Sequence, residues 1–379
     1  METPGQHKVV LCDDAVVEIL LRLPSKSVLR CRAVCKSWLR ITTDPSFLAT
    51  HAARRPREML VFPESLTVST MPLSLDDDNS TEEDGRRFLC DPTERHPGSI
   101  AIWRKVLYSL DGLLVVQQRP GFYIVCNPMT RQWTNLPVLA CVTAFPCGFY
   151  LHGPSGEYRL LCHGVVEEEA GECKDYYYIL SAGATEPRRL ARAPADRPTI
   201  MGYPVPVCHR GALLWSSCHP IAARTGGMIL AFHTVHEMFG LLSPPPGATM
   251  MTSLFELDDG GICAATMACV TQLDIWTFVH NCAVEPWTLR LRLQVSPPNA
   301  GFLVMSTVIS AGDGSSSILV GGPGCPVVRL YDLKEKKMRK EVHCRSAPSF
   351  LVFSESLVSH SFFDRPAPHP KLASIKFHL

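Results

Sequence analysis

The chain has 379 residues, of which 46% are hydrophobic, and its formal net charge is +1. This length predicts one large or two unequal domains, and the balanced charge excludes a bulk attraction to nucleic acid or to an anionic membrane. The 16 cysteines include no CxxC pair, no apolar run reaches the roughly 18 residues of a membrane helix, and residues 1–8 lack a secretory signal. We therefore expect free thiols in a reducing compartment, cytoplasmic and/or nuclear.

Two helices are predicted near the start of the chain. The first covers residues 15–23, where glycine and proline are absent, and Pro24 marks its end. The second covers about 25–42 and stops at the pair Asp44 and Pro45. This segment differs in pattern from everything that follows it.

The first of these helices is apolar over too wide an arc for a surface helix. Its apolar side chains extend over roughly 200°, whereas a surface helix needs a stripe of roughly 100°. A segment of about 40 residues cannot bury that surface in a core of its own. The pattern therefore predicts a docking module. The side chains on the arc are Val16, Val17, Ile19, Leu20, Leu21 and Leu23.

From about residue 59 onward the pattern changes to short β-like runs divided by glycine and proline. Examples are LLVV at 113–116, LDIWTFV at 273–279 and SILV at 317–320. Glycine turns open several runs, at Gly112, Gly211 and Gly261, which lie 99 and 50 residues apart.

A second weak repeat has a polar residue after an apolar run and an aromatic residue or Met six positions later. The polar residues are 106 and 99 residues apart. Since all these intervals are near multiples of about 50 residues, the period of kelch-like blades, each unit is predicted to be the outer hairpin of one blade of a β-propeller with about six blades. The pairs are Asn127 with Trp133, His233 with Phe239, and Asp332 with Met338.

The segment from Leu11 to Phe47 reads LCDDAVVEILLRLPSKSVLRCRAVCKSWLRITTDPSF. It resembles the F-box motif in its acidic start, in EIL-x-RLP, KS-x-LR and VCKSW, and in the closing DP-x-F. The main departure is Cys12, where the family usually has proline. That change is expected to loosen the start of the first helix and to weaken adaptor binding.

The remainder resembles the F-box-associated, kelch-like domain of plant F-box proteins. The matching pieces are DGLLVV at 111, IVCNPMTRQWTNLP at 124, ILAFHTVHEMFGLLSPPP at 229, LDIWTF at 273 and RLYDLKEKKMRK at 329. The resemblance implies an α + all-β chain. A short three-helix F-box would occupy residues 9–52, and a substrate-binding β-propeller-like domain of about six blades would occupy 59–370.

The resemblance also implies a function. The chain would be the non-catalytic substrate-recognition subunit of an SCF-type ubiquitin ligase, bound to a Skp-type adaptor, linked indirectly to a cullin, and capturing an unknown protein. No cofactor, metal, nucleic acid or membrane is expected. By motif position, the adaptor-binding residues would be Leu11, Ile19, Leu20, Leu23, Pro24, Leu29, Val34, Cys35 and Trp38.

Two alternatives remain open at this point. One is a propeller that binds proteins without the adaptor. The other is a propeller that binds sugars or acts as an enzyme, which would require polar or metal-ligating residues that converge in one pocket. Four tryptophans could line such a groove, although packing inside the blades is the preferred interpretation: Trp133, Trp215, Trp276 and Trp287. His233 and His236 lack the H-E-x-x-H order of a zinc pair.

Overall fold

The structure is a computed structural model. It describes residues 12–61, 67–72, 86–91, 105–141, 143–167, 173–190, 205–216, 228–249, 252–257, 259–269, 271–279, 286–295, 307–310, 317–321, 327–343, 348–365 and 375–378. Leu11, one of the predicted adaptor-binding residues, lies outside these ranges.

The chain begins with helices: α1 (Asp13–Arg22), α2 (Ser25–Cys31), α3 (Lys36–Thr43) and α4 (Pro45–Ala53). The predicted second helix is therefore two helices, and the described module has four helices rather than three. The break comes at Cys35, whose backbone is extended and whose sulfur accepts the Trp38 N–H at 3.5 Å. Because neither glycine nor proline marks this break, the sequence pattern did not reveal it.

Asp44 ends one helix and begins the next. Its Oδ1 accepts the N–H groups of Ser46 at 2.9 Å and Phe47 at 3.2 Å, and Pro45 occupies the first turn of α4. A capping aspartate followed by proline is a strong helix start. The Ser46 hydroxyl also donates to this carboxylate, and together with the two backbone bonds it lowers the pKa of Asp44.

The strands form six antiparallel sheets, which are the blades of a propeller. Blade 1 combines β1 (Arg57–Val61), β2 (Val68–Pro72) and β3 (Arg87–Asp91) with β24 (Pro348–Ser354) and β25 (Lys376–Phe377). Blade 2 contains β4 (Lys105–Leu110), β5 (Leu113–Arg119), β6 (Phe122–Asn127) and β7 (Gln132–Asn135). Blade 3 contains β8 (Thr143–His152), β9 (Glu157–Glu167), β10 (Cys173–Ser181) and β11 (Arg188–Arg189).

The remaining blades repeat the four-strand plan. Blade 4 contains β12 (Val207–His209), β13 (Ala212–Trp215), β14 (Ile229–His233) and β15 (Met238–Leu242). Blade 5 contains β16 (Ser253–Glu256), β17 (Ile262–Cys269), β18 (Gln272–Phe278) and β19 (Trp287–Gln294). Blade 6 contains β20 (Thr307–Ser310), β21 (Ser317–Gly321), β22 (Val327–Asp332) and β23 (Lys337–His343). The predicted fold class, an F-box followed by a propeller of about six blades, is confirmed.

The inner strand is β24 in blade 1 and the first strand in each of the other blades. Strand β4 packs beside β24 and β8, and β16 packs beside β12 and β20. Blade 1 closes the ring, because β24 pairs with β1 and β25 pairs with β3. Residues from the two halves of the chain thus share one sheet.

The predicted outer hairpins are the connections β6–β7, β14–β15 and β22–β23. In each, the polar residue accepts a backbone N–H two or three positions later. Asn127 accepts from Met129 at 2.9 Å, and Asp332 accepts from Lys334 at 2.7 Å. His233 accepts from His236 at 3.2 Å through Nδ1, so the pair stabilises a turn.

The glycine turns join the first two strands of blades 2 and 4. Asp111 and Gly112 have φ of 52° and 80°, and Arg210 and Gly211 have φ of 46° and 75°. Two consecutive residues with positive φ are the signature of a tight two-residue hairpin. The Gly112 position also permits close contact, because a Cβ there would lie 2.4 Å from the Ser356 Cβ.

Three of the four tryptophans use their indole N–H inside the propeller. Trp215 donates to the Cys147 carbonyl at 2.9 Å, and Trp287 donates to the Ser243 carbonyl at 2.8 Å. Trp276 donates to the Thr266 hydroxyl at 2.9 Å. Trp133 is half-buried against the core shared by the helices and blades 1 and 2. The packing interpretation accounts for all four.

Candidate partner-binding surfaces

The helical module and the propeller share one hydrophobic core. Val16, Leu20, Leu21, Val28 and Phe47 belong to the same buried cluster as side chains of blades 1 and 2. Part of the wide apolar arc of α1 is therefore covered within the chain. The propeller members of the cluster include Leu60, Leu89, Leu114, Val116, Ile124, Leu351 and Phe353.

The corner after α1 is fixed by basic side chains from the end of α4. Arg55 donates to the carbonyl oxygens of Leu21 and Leu23, both at 2.9 Å. His51 donates through Nε2 to the Leu23 carbonyl at 2.9 Å. These bonds satisfy carbonyls that the end of a helix leaves open. Burial lowers the pKa of His51, which keeps its ring neutral.

Glu355 connects the module to the propeller electrostatically. Its side chain, only 6% exposed, accepts the Ser25 N–H at the start of α2 at 3.1 Å and forms an ion pair with Arg87 of blade 1. Arg87 also pairs with Glu58 at 2.7 Å. A single buried carboxylate thus links α2, the segment after β24 and the strand β3.

The proposed adaptor-binding residues divide into a buried group and an exposed group. Leu20 is fully buried, and Leu23, Leu29 and Trp38 are half-buried against the shared core. In the isolated chain, Leu20 therefore serves internal packing.

The exposed members are Ile19, Pro24, Val34 and Cys35. Ile19 is 48% exposed and Val34 is 63% exposed. Leu39 of α3, which motif reasoning did not select, is 44% exposed. Large apolar side chains left open on a small helical module indicate a surface that another protein covers.

The helical module that carries these apolar side chains also carries exposed basic residues. In the described part of the chain, Arg22, Lys26, Arg30 and Lys36 are exposed and form no ion pair. Few acidic residues lie near these basic residues in the sequence, and some of those acids already form ion pairs. Arg54 pairs with Glu18 at 3.1 Å and holds the pKa of that carboxyl below its usual range. This surface would attract an acidic partner.

A cleft of about 560 Å³ lies where the module meets the propeller. Residues of α4, the β4–β5 turn and the segment after β24 form its walls. Tyr158 donates to Asp111 Oδ2 at 2.9 Å, and the His360 ring lies 5.0 Å from the Tyr158 ring. Burial raises the pKa of Tyr158 and lowers that of His360, so both groups are neutral near pH 7.

Within the described ranges, no group of three or more His, Cys, Asp or Glu side chains could hold a metal ion. The helices found there are also too short or too polar to cross a membrane.

These features define a class: a small helical docking module seated on a six-bladed β-propeller. Comparison with known families identifies the module, because residues 10–50 match the F-box domain. The chain therefore carries an F-box domain followed by a propeller.

The chain is also similar to F-box proteins over most of its length. It is 24% identical to F-box protein CPR1 of Arabidopsis thaliana over 378 residues, which cover 92% of this chain and 87% of that protein. It is 32% identical to F-box protein At5g49610 of the same plant over 135 residues, which cover 35% of this chain. The match spans only 34% of the length of At5g49610.

Proposed function

We propose that this chain is the non-catalytic substrate-recognition subunit of an SCF-type ubiquitin ligase. The F-box domain at residues 10–50 carries the proposal, because its exposed apolar side chains need a partner. That partner is a Skp-type adaptor, which connects the chain to a cullin. The propeller holds a target protein for ubiquitination and proteasomal degradation. The site of action is the cytoplasm and/or the nucleus.

The mechanism requires no bond chemistry from this chain. The cullin scaffold brings a ubiquitin-charged enzyme near the captured protein, so the effective concentration of target lysines rises. Rigid attachment matters for this role. The shared core and the Glu355 link to α2 keep the F-box at a defined orientation to the propeller.

We place the adaptor contact on the exposed apolar residues, which are Ile19, Pro24, Val34, Cys35 and Leu39. The half-buried Leu23 and Trp38 supply the edge of the same surface. Covering apolar area contributes about 25 cal/mol per Å² as an upper figure. Leu20 and Leu29 support this surface from within the chain.

The test is binding of the purified full chain to a purified Skp-type adaptor, measured by calorimetry. Val34→Glu places a charge on the module's most exposed large apolar side chain, which is 63% exposed, so we expect the fold to tolerate it. We expect it to weaken adaptor binding at least tenfold. Replacing Leu23 and Pro24 together with Ala is expected to abolish binding, but Leu23 also packs against the core. Val34 is therefore the cleaner position.

The matched control is Met238→Glu, which alters a propeller side chain that is 61% exposed. Its adaptor affinity is expected to equal that of the unmodified chain. If Val34→Glu binds the adaptor as tightly as the control, the proposed surface is wrong. If the unmodified folded chain does not bind the adaptor, the chain is a binding module that acts outside the ligase.

A further inference from the structure

Strand β15, with the sequence MFGLL, is the outer edge of blade 4, and no described strand pairs with its outer side. Such an edge leaves a row of backbone N–H and C=O groups available for pairing. Met238 is 61% exposed and Leu241 is 55% exposed. Proteins usually protect such an edge with charged side chains or proline, and β15 has neither.

The other described outer strands carry such protection or are covered. Strands β11, β19, β23 and β25 all contain Lys or Arg. Strand β7 is uncharged, but its four residues are buried or half-buried. Among the described blades, β15 is thus the outer strand that combines exposure with the absence of charge.

Both ends of β15 are anchored to neighbouring blades. Before its first residue, Glu237 accepts the Tyr150 hydroxyl at 2.9 Å and Arg159 Nη1 at 2.6 Å, both from blade 3. After its last residue, the Ser243 carbonyl accepts the Trp287 indole N–H of blade 5 at 2.8 Å. The strand is therefore held extended before any partner arrives, which lowers the entropy cost of binding.

The two faces of β15 differ. Phe239 packs inward, with its ring 4.5 Å from that of Tyr177. On the opposite face, Met238 and Leu242 stand on either side of Gly240, because alternate residues share a face. A Cβ at Gly240 would meet nothing within 4 Å. The neighbouring residue across the pair is the small Ala231.

This face therefore forms a trough with Gly240 and Ala231 as its floor. Aromatic side chains opposite a strand glycine cover the exposed backbone and fill the space. Met238 and Leu242 would contact the edges of such a ring. The trough fits one large flat side chain of an added strand.

We propose that β15 binds an extended segment of the target protein as an added antiparallel strand, uncharged over the five residues that pair with β15, with an aromatic side chain over Gly240. This inference deepens the proposed function, on which it rests, by naming the chemistry of the captured segment. Strand addition supplies affinity through main-chain hydrogen bonds and specificity through alternate side chains.

A peptide segment fits this edge better than a second copy of the chain. Five residues span about 17 Å, and a sheet is about 10 Å thick, so the edge offers roughly 170 Å². A standard protein–protein interface needs about 800 Å² from each partner. A second copy is nevertheless an outcome that the experiment can detect.

The probe is a fluorescein-labelled peptide, Lys-Thr-Val-Phe-Val-Thr-Lys-amide, and binding to the purified full chain is followed by fluorescence anisotropy. We expect saturable binding. Replacing the central Phe of the peptide with Asp should weaken it at least tenfold. A peptide with the same side chains but N-methylated at both Val residues should not bind, because it lacks the N–H groups that an added strand uses.

Two variants of the protein test the edge. Gly240→Val fills the trough with a residue that suits a strand, and Leu241→Lys adds the missing charge. Both are expected to weaken peptide binding at least tenfold without lowering the melting temperature. Met338→Lys is the matched control, since Met338 is 42% exposed on the outer strand of blade 6. It should bind the peptide normally.

The outcomes separate this inference from the receptor role. Absence of peptide binding up to about 1 mM, or equal binding of the N-methylated peptide, overturns the strand-addition proposal. A dimer of the unmodified chain in light scattering that Leu241→Lys converts to a monomer would assign the edge to a second copy instead. Leu241→Lys should bind the Skp-type adaptor normally, so loss of peptide binding leaves the receptor role standing.

Discussion

The buried carboxylate of Glu355 offers a direct test of how the F-box is held on the propeller. Glu355→Ala removes the acceptor of the Ser25 N–H and one partner of Arg87. A hydrogen bond to a charged group contributes about 1.5–3 kcal/mol, and breaking a buried ion pair costs about 3–5 kcal/mol. Arg87 keeps Glu58 as a partner and is partly exposed, so losing its pair with Glu355 should cost little, and the total should be close to that of the hydrogen bond alone, about 2 kcal/mol.

Hydrogen exchange at the Ser25 amide is the appropriate assay, because that N–H makes the bond in question. A loss of about 2 kcal/mol corresponds to roughly 30-fold faster local opening. Glu355→Gln keeps a carbonyl acceptor for Ser25 but loses the charge, so we expect a smaller acceleration. Amides in blade 5 serve as an internal control. Unchanged exchange across α2 in the Ala variant would refute this account of the junction.

Three further predictions concern single positions. Cys12 has φ −65°, which is the angle that proline fixes. Cys12→Pro is therefore expected to raise the free energy of unfolding, measured by urea titration, by about 0.4–1 kcal/mol. A lower free energy of unfolding would contradict this. Burial lowers the pKa of His51, so the unfolded chain takes up a proton more readily than the folded one, and the free energy of unfolding should fall as pH drops below about 6.5. His51→Gln should reduce this dependence of stability on pH. An unchanged dependence would argue against a neutral His51. Gly112→Ala should lower the free energy of unfolding by about 1–3 kcal/mol, because Gly112 has φ +80° and the new Cβ would collide with Ser356. Gly156→Ala should lower it by less, because Gly156 has φ +67° but open space around it. Equal losses of stability would mean that the contact with Ser356 does not matter.

The sequence was most informative where a local pattern determines a local structure. The turn after Asn127 and its counterparts after His233 and Asp332 were predicted as outer hairpins, since a side chain that accepts nearby N–H groups acts within a few residues. The F-box was predicted from a dense motif. Both predictions required no knowledge of distant contacts.

Features that depend on distant contacts could not be predicted. The wide apolar arc of α1 did indicate a docking surface, but Leu20 is covered by the chain itself while Ile19 stays open. Periodicity shows that a face is apolar and does not show what covers it. The role of Glu355 depends on a partner 330 residues away, at Ser25.

The break between α2 and α3 could not be predicted from the sequence either. Cys35 caps α3 through its sulfur, and that interaction has no strong sequence signature. Leu39 was missed for the same reason, because the start of α3 determines which of its side chains point outward.

The closure of blade 1 determines when, during synthesis, the F-box helices can pack against the propeller. Strand β24 supplies Leu351 and Phe353 to the core on which the F-box helices rest, and Glu355 follows it directly. A ribosome releases the F-box long before it releases these residues. The helices can therefore pack against this core only after the ring has closed. A chain interrupted within blade 6 would carry an F-box with no fixed orientation relative to its propeller, so a fixed orientation between the two indicates that the chain has been made through β24.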